Sequence, residues 1–146
     1  MSRFVLIGCS KSKRPSDRPQ TPQEMYLGAL FRKRVEYAES RRLPWLVLSA
    51  HHGLWVPGIR RKSYDKTLAD MKPIDVAAWH VGVASQLMDY LDYDEYPCTV
   101  EIHAGRRYCE PLATILKSTR IRVEIPTLGM GIGRQLQAYT SGELSS

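Results

Sequence analysis

RFVLIG, residues 3–8, is a short apolar run that ends at a glycine. A run of this length bounded by a glycine predicts a buried strand, because a helix needs about ten or more residues. The polar segment SKSKRPSDRPQTPQ (10–23), which contains three prolines, follows it and predicts a loop. The chain therefore begins with a strand that is buried along its length.

Working outward from this run, segments typical of strands and of helices alternate along the chain. Apolar residues recur with helical spacing from Tyr26 to about Arg41. Three further apolar runs predict strands, and three later segments predict helices. The predicted strands are RFVLIG (3–8), WLVLSA (45–50), CTVEIHAG (98–105) and RVEIP (122–126); the later helices are residues 74–91, residues 106–118 with Pro111 in the first turn, and a short helix after the glycines of residues 127–133.

This alternation predicts an α/β fold. Strands that alternate with helices pair in parallel through right-handed crossovers. We therefore expect a three-layer α/β/α domain with a mainly parallel sheet of about four strands. A chain of 146 residues fits a single domain, which we expect to span residues 1–146 with a frayed tail at residues 141–146.

The composition favours an anionic partner. The chain has 21 basic and 15 acidic residues and a net charge of +6, which suits a nucleotide or a nucleic acid. Cys9, Cys98 and Cys109 show no disulfide-framework spacing, which indicates reduced thiols and a cytoplasmic protein. No apolar stretch is long enough to span a bilayer, so we expect no membrane partner. The composition leaves the oligomeric state open.

The most unusual residues of the chain follow the four predicted strands. Parallel strands end at the same edge of an open sheet, and ligands bind outside their carboxyl ends, so these segments are predicted to form one site. The first segment, GCSKSK (8–13), supplies Ser10, Lys11 and Lys13, whose hydroxyl and ammonium groups suit phosphate oxygens. It lacks the GxxxxGK[ST] spacing of a Walker A loop, and the alternative is a solvated basic loop.

Three glycines, Gly129, Gly131 and Gly133, precede the last predicted helix. The free N–H groups at the start of a helix form an anion site, and glycines let a ligand approach the backbone closely. The spacing is GxGxG and not the GxGxxG of dinucleotide-binding proteins, so it does not predict a nicotinamide cofactor. The alternative is a tight turn between a strand and a helix.

Two adjacent histidines, His51 and His52, follow the second strand. Neighbouring residues of an extended segment point in opposite directions, so we expect only one of them to face a ligand. No CxxC, HxxxH or HExxH spacing occurs in the chain, so we expect no metal site. One histidine is predicted to lie in the site and the other to support the loop.

A segment of about 20 residues after the second strand is predicted to be an irregular loop, and such long loops in a compact domain are usually functional. It carries the basic run RRK (60–62) and Asp65. A carboxylate in such a loop can orient water or stabilise a developing cation. The alternative is that Asp65 caps a short turn.

Arg106, Arg107 and Tyr108 follow the third strand. Arginine suits bidentate phosphate contacts, and tyrosine can stack on a base. Two cations at a helix start oppose the helix dipole, which indicates an anion nearby. The basic residues assigned to this edge of the sheet are Lys11, Lys13, Arg14, Arg60, Arg61, Lys62, Arg106, Arg107 and Arg134.

The same segments carry a resemblance to a known family. They are LIGCSKSK (6–13), YLGALFRKRVEYAE (26–39), WLVLSAHHGL (45–54), SYDKTL (63–68), AGRRYCEPL (104–112) and PTLGMGIGRQL (126–136). In this order they are similar to the motifs of an uncharacterised family of bacterial and phage proteins, with the pattern C-[GS]-x-x-K, L-S-A-K-H-G-L and Y-D-x-T-L. His51 stands where lysine is usual and Ser63 where proline is common, so His52 is the histidine that matches the motif.

The family has no settled activity. Its members resemble α/β proteins that act on nucleobases or nucleotides in phage and DNA-modification settings, which is an analogy at the level of the fold. The residues that the resemblance singles out here are Cys9, Lys13 or Lys11, Tyr26, Ser49, His52, Gly53, Tyr64, Asp65, Tyr108, Gly129 and Gly133.

Together these features predict an enzyme that acts on a nucleotide or a nucleic-acid base and hydrolyses or exchanges an N-glycosidic bond. Asp65 is predicted to stabilise the oxocarbenium-like transition state, and His52 to protonate the departing base. No cofactor is expected. Two alternatives stay open, a non-catalytic nucleic-acid-binding accessory protein and a nucleotide-binding sink or sensor. Ligand contacts are assigned to Ser10, Lys11, Lys13, Ser49, Tyr64, Arg106, Tyr108, Gly129, Gly131 and Gly133.

Overall fold

The computed structural model describes residues 2–144 and has a five-stranded mixed sheet with the strand order β3-β2-β1-β4-β5. The strands are β1 (Ser2–Gly8), β2 (Trp45–Ser49), β3 (Gly53–Trp55), β4 (Cys98–His103) and β5 (Ile121–Glu124). Neighbouring strands run parallel except β3, which pairs antiparallel with β2. The predicted α/β fold with a mainly parallel sheet is confirmed.

Helices cover both faces of the sheet. They are α1 (Pro22–Met25), α2 (Ala29–Ser40), α3 (Pro73–Tyr90), α4 (Arg106–Leu116) and α5 (Ile132–Ser141), with short 3-10 helices at Leu68–Asp70 and Tyr93–Glu95. Helix α2 contacts α5, and α3 contacts α4, each pair over its own apolar core. Within residues 2–144, no helix is both long and apolar enough to cross a membrane.

Strand β1 lies at the centre of the sheet, between β2 and β4. Val5 and Ile7 point into the core under α2 and α5, while Leu6 points into the core under α3 and α4, and none of the three is exposed to solvent. A strand covered on both faces has no solvent side, so it needs apolar residues at successive positions. This explains why RFVLIG is a continuous apolar run and does not alternate.

Strand β3 lies inside the segment that the sequence predicts to be irregular. The chain turns at residues 50–52 and comes back beside β2, with Ser49 paired to Gly53 and Val47 paired to Trp55. Gly53 has a φ of 70°, which glycine adopts without strain. Leu54 and Trp55 are buried in opposite cores. Three residues are too few to show a strand period, so the prediction missed this strand.

Helix α1 begins with a capping box. Thr21 Oγ1 accepts a hydrogen bond from the Glu24 N–H at 3.3 Å, and Glu24 Oε1 accepts one from the Thr21 N–H at 2.9 Å. With Pro22 in the first turn, T-P-Q-E is a helix start signal that the sequence contains. The helix has only four residues and shows no periodicity, so the prediction did not include it.

Helix α4 begins at Arg106 as predicted, and this places Pro111 in its second turn, not in the first. Proline has no N–H, so the carbonyl of Arg107, four residues earlier, has no donor within the helix. The ring of His80 on α3, which is 1% exposed, places Nε2 at 2.7 Å from that carbonyl. His80 thus supplies the hydrogen bond that Pro111 removes, and it ties α3 to α4.

The chain after α5 is described as far as Leu144. Glu143 forms an ion pair with Arg134, and Leu144 packs against the core under α2 and α5. Residues 145 and 146 lie outside the described residues. A frayed tail at residues 141–146 and a single domain over residues 1–146 stay predictions.

The bond between His80 and the Arg107 carbonyl gives a test of this packing. We expect His80→Leu to lower the free energy of unfolding by about 1–3 kcal/mol, because the carbonyl loses its donor. The same change in a Pro111→Ala background should cost clearly less, because alanine restores a helical N–H. Urea unfolding of the four proteins measures both costs in a double-mutant cycle. Equal costs in the two backgrounds would contradict this role of His80.

Candidate functional site

The carboxyl ends of β1 and β4 mark the point where the strand order changes direction. The chain passes from β1 to β2 on one side and later returns to β4 on the other side. Ligand sites of open α/β sheets lie outside such a point. Gly8, at the end of β1, packs so closely on Ala104 that a Cβ atom at Gly8 would lie 2.8 Å from the Ala104 Cβ. Only glycine allows this approach.

One group of side chains lies at the ends of β1 and β2 and in the segments packed on them. We call it the aromatic cluster: Cys9, Tyr26, Ser49, His51, His52, Tyr64 and Tyr108. The Tyr64 hydroxyl is its centre, at 2.6 Å from the Tyr26 hydroxyl and accepting from Ser49 Oγ at 3.0 Å. Ser49 Oγ also accepts from the His52 N–H at 3.0 Å. The structure thus connects several residues that the family resemblance singles out.

The rings of the cluster gather around Tyr64. The His51 ring is stacked on the Tyr64 ring with centroids 5.4 Å apart and an interplanar angle of 24°. The His52 ring meets Tyr64 edge-on at 5.2 Å, and Lys13 Nζ lies 4.6 Å from the Tyr64 centroid. His51 is exposed, whereas the other residues of the cluster are buried or half-buried. His51 therefore offers the most exposed aromatic surface.

The expectation that His51 and His52 point in opposite directions is wrong. Both rings contact Tyr64, and their centroids are 4.8 Å apart. The expectation assumed an extended segment, but residues 50–52 form the turn before β3. His52 Nε2 lies 2.9 Å from the Lys62 carbonyl. Burial lowers the pKa of His52, so at neutral pH the neutral ring donates this hydrogen bond and holds the loop.

The tyrosines of the cluster stay protonated at neutral pH. Burial raises the pKa of Tyr26, of Tyr64 and of Tyr108, and the nearby Cys9 thiol acts in the same direction. The Cys9 thiol donates to the Tyr108 hydroxyl, with sulfur and oxygen 3.3 Å apart. Tyr108 also packs edge-on against Trp79 at 5.5 Å. These hydroxyls can therefore act as hydrogen-bond donors but not as bases.

Asp65 directly follows Tyr64 in the chain and is exposed. Within residues 2–144, no hydrogen bond or ion pair engages its carboxylate. The alternative that Asp65 caps a short turn is wrong, since the nearby 3-10 helix begins at Leu68 and Thr67 precedes it. The carboxylate therefore has no structural partner that would compete with a ligand.

The basic residues of this edge are partly neutralised. Arg60 pairs with Glu24 at 2.8 Å, Arg106 pairs with Glu110 at 3.2 Å, and Arg134 pairs with Glu143. Lys11 is exposed, and Ser10 packs against Gly28. The positive field at the edge is consequently weaker than the residue types alone suggest.

A second feature, the edge pocket, lies beside the ends of β4 and β5. It has a volume of about 600 Å³ and is lined from two segments, residues 104–110 and residues 125–135. Arg106, Gly129 and Gly131 line it, so three residues assigned to phosphate contacts meet there, while Gly133 lies in the first turn of α5. Arg107 instead faces a groove between α3 and α4. A volume of this size suits a small-molecule ligand.

Two helices begin at the edge pocket. Gly105 precedes α4 and Gly131 precedes α5, and neither glycine has a side chain that could cap its helix. Arg106 and Ile132, the first residues of the two helices, both line the pocket. The positive ends of two helix dipoles therefore meet at one cavity.

Arg34 of α2, which belongs to none of the predicted site segments, lies behind the edge pocket. It is 5% exposed, and its Nη2 donates to Gln135 Oε1 at 2.9 Å. Gln135 lines the pocket and donates from Nε2 to the Met130 carbonyl at 3.0 Å. Among residues 2–144, no carboxylate lies within ion-pair distance of Arg34, and its Nε has no hydrogen-bond partner. A charged residue on an amphipathic helix is usually solvated, so no sequence pattern indicated that Arg34 is buried.

A buried polar network continues from Arg34 under the sheet. Tyr139 lies close to Arg34, and its hydroxyl lies 2.6 Å from His103 Nδ1. Burial lowers the pKa of His103, so the neutral ring donates from Nε2 to Glu101 Oε1 at 2.9 Å. Burial alone would raise the pKa of Glu101, but hydrogen bonds from His103, Tyr37 and Arg3 outweigh it and bring that pKa to about 2. His103 is thus a structural residue of this network.

Three comparisons with known proteins complete the description of the site. The model of a family described as a family of unknown function (DUF6884) matches residues 4–141. No curated protein and no solved structure matches the chain. The match covers nearly the whole chain and confirms the resemblance to an uncharacterised family.

The network around Glu101 predicts how stability depends on pH. The pKa of Glu101 is about 2 in the folded protein and 4.5 for a free glutamate, so Glu101 stabilises the fold above pH 4.5 and loses this effect as the pH falls toward 2. We expect Glu101→Gln to cost about 3 kcal/mol at pH 7 and clearly less at pH 3. Urea unfolding at both pH values measures the difference.

Glu36→Gln is the matched control, because Glu36 is exposed on α2 and, within residues 2–144, its one ion pair is with Lys33 at 3.7 Å. It should change stability by at most about 0.5 kcal/mol at either pH. A cost of Glu101→Gln that does not depend on pH would contradict the assigned ionisation.

Proposed function

The chain belongs to the family of unknown function (DUF6884), and we propose that it is an enzyme that acts on a nucleotide or a nucleic-acid base. The proposed reaction is the hydrolysis or exchange of an N-glycosidic bond. A cytoplasmic location is part of this proposal.

The observation that carries the proposal is that the aromatic cluster and the edge pocket adjoin at the ends of β1 and β4. Cys9 of the cluster follows Gly8, which packs on Ala104 of the pocket wall. Tyr108 bonds Cys9 and belongs to the first turn of α4, which begins at the pocket. A nucleotide has a phosphate and an aromatic base held apart by a sugar. These neighbouring features suit its two ends.

The chemistry follows from this placement. With the phosphate at the pocket and the base at the cluster, the sugar lies between them, and its bond to the base is the one to break. As that bond lengthens, positive charge develops on the sugar, which the free carboxylate of Asp65 would stabilise while orienting a water molecule. Water would add to the sugar carbon as the bond to the base breaks; one proton of this water would pass to the Asp65 carboxylate and on to solvent, and the base would leave with a separate proton. This reaction needs no cofactor.

The proton for the departing base is assigned to His52. Its lowered pKa means that only a small fraction of His52 is protonated at neutral pH. A general acid with this property works best below neutral pH. The hydroxyls of Tyr26 and Tyr64 stay protonated and bond each other, so they would hold the cluster in place around the base.

The second candidate is a non-catalytic protein that binds a nucleotide as a sink or sensor. It is favoured by the engagement of His52 Nε2 with the Lys62 carbonyl, which ties up the proposed acid. Nucleic-acid binding as an accessory protein is a further alternative, which would show a steep dependence of affinity on salt.

Asp65 is the residue on which the proposed reaction depends. We expect Asp65→Asn to reduce base release by about 100-fold or more, because the amide cannot stabilise the positive charge, while ligand binding changes little. Wild type and variant are incubated with a nucleotide pool, RNA, and single- and double-stranded DNA, and released bases are measured by chromatography with mass detection.

The control for this experiment is Asp89→Asn, an exposed carboxylate near the end of α3. It should release base at the wild-type rate. Full activity of Asp65→Asn would defeat the mechanism. An unchanged mixture with a nucleotide retained on the wild-type protein would support the sink or sensor.

The assignment of His52 predicts a pH profile. Because the pKa of His52 is lowered, the protonated fraction and the rate should rise as the pH falls from 7.5 toward 5.5. His52→Gln should lose this rise and about 100-fold in rate, whereas His51→Gln should keep it. Rates of base release measured across this pH range test whether His52 is the proton donor. If the rate of His52→Gln depended on pH as the wild-type rate does, His52 would not be the proton donor and would only hold the loop through its bond to Lys62.

A further inference from the structure

A buried positive charge lies beside the edge pocket. The guanidinium of Arg34 lies directly behind the pocket wall. Its Nη2 donates to Gln135, which lines the pocket. Its Nη1 would lie 3.5 Å from a Cβ atom at Gly8, and Gly8 packs on Ala104, which also lines the pocket.

The charge of Arg34 has no compensating charge nearby. Its partners, Gln135 Oε1 and the Tyr139 hydroxyl, are neutral, and within residues 2–144 it forms no ion pair. A buried cation without a carboxylate is costly unless an anion approaches it. A buried, unpaired charge beside a cavity is therefore a candidate functional group.

Two uncapped helix starts add to this field. Each helix N-terminus contributes roughly half a positive charge, so α4, α5 and Arg34 together place about two positive charges at one cavity. Arg106 at the pocket contributes less, because Glu110, which also lines the pocket, pairs with it. Two positive charges match the doubly charged form of a phosphate monoester, whereas an internal phosphate of DNA or RNA carries one negative charge.

We propose that the edge pocket binds the terminal phosphate monoester of a free nucleotide, with Arg34 supplying positive charge behind the pocket wall and Gln135 lying between Arg34 and the phosphate. This inference names the substrate class and rests on the proposed function for the role of the nucleotide. It places the substrate among mononucleotides and not among nucleic-acid polymers. Gln135 is the positioning residue, since it lies between the guanidinium of Arg34 and the pocket.

The test compares three variants of α5. Gln135→Glu keeps the shape of the side chain and loses the bond to the Met130 carbonyl, but it puts a carboxylate against Arg34, which cancels the charge of the guanidinium. Gln135→Ala loses the bonds to both Arg34 and the Met130 carbonyl but leaves the charge of Arg34 in place. Gln137→Glu adds the same negative charge two residues away on the exposed side of α5.

The probes are inorganic phosphate, nucleoside 5′-monophosphates, their nucleosides, and dinucleoside monophosphates that carry only a phosphodiester. Binding is measured by calorimetry at constant ionic strength, and the melting temperature of each protein without ligand is measured alongside as a check of folding.

We expect the wild type to bind the monophosphates at least about tenfold more tightly than the nucleosides or the diesters. Gln135→Glu should lose at least about tenfold in that affinity relative to Gln135→Ala, with an undiminished melting temperature, and Gln137→Glu should bind as the wild type does. Affinity should also fall below pH 6, where the monoester loses its second charge. Inorganic phosphate that binds as tightly as every monophosphate would overturn the assignment to a nucleotide.

Equal losses in Gln135→Glu and Gln135→Ala would mean that Gln135 only holds the loop, and would overturn the charge assignment. Diesters that bind as tightly as monoesters would overturn the substrate class. Base release is scored separately. A protein that binds monophosphates but releases no base sustains this inference and defeats the proposed reaction. Base release from polymers at the same rate in Gln135→Glu defeats the inference and leaves the reaction standing.

Discussion

The contact between Gly8 and Ala104 sets how closely the ends of β1 and β4 approach, and the rest of the edge is arranged around it. A side chain at Gly8 would collide with the Ala104 Cβ at 2.8 Å. Because the two strand ends meet, Cys9 lies within hydrogen-bond distance of Tyr108 on α4, and Arg34 reaches the back of the pocket wall. The aromatic cluster and the edge pocket adjoin because of this one contact.

With one exception, the charged residues buried between the sheet and helices α2 and α5 are both hydrogen-bonded and paired with an opposite charge or a neutral donor. Glu101 has His103, Tyr37 and Arg3 as donors, and Tyr139 links this group to Arg34. Buried charges persist when they are paired and hydrogen-bonded. Arg34 is hydrogen-bonded but not paired within the described residues, and its partner Gln135 lines the edge pocket. The departure from the rule therefore coincides with the site.

The two parts of the site differ in what they can do. In the aromatic cluster, Tyr26, Ser49 and Tyr64 bond one another, so their geometry is fixed before a ligand arrives. In the edge pocket, two helix starts have no side-chain cap. Groups that already bond one another can orient a ligand or stack on it, whereas unpaired N–H groups and charges can bind the ligand directly. This division favours base recognition at the cluster and anion binding at the pocket.

The sequence by itself determined the alternation of strands and helices, the burial of β1 and the edge at which the unusual residues meet, because these follow from periodicity and from the geometry of parallel sheets. It also pointed to Tyr64, Ser49 and Gly131 through local motifs. The tertiary structure alone decided that β3 returns beside β2, that His51 and His52 both face Tyr64, and that Arg34 and Gln135 lie behind the pocket. Those contacts join residues far apart in the chain or depend on a turn of a few residues, and neither leaves a periodic or local signal.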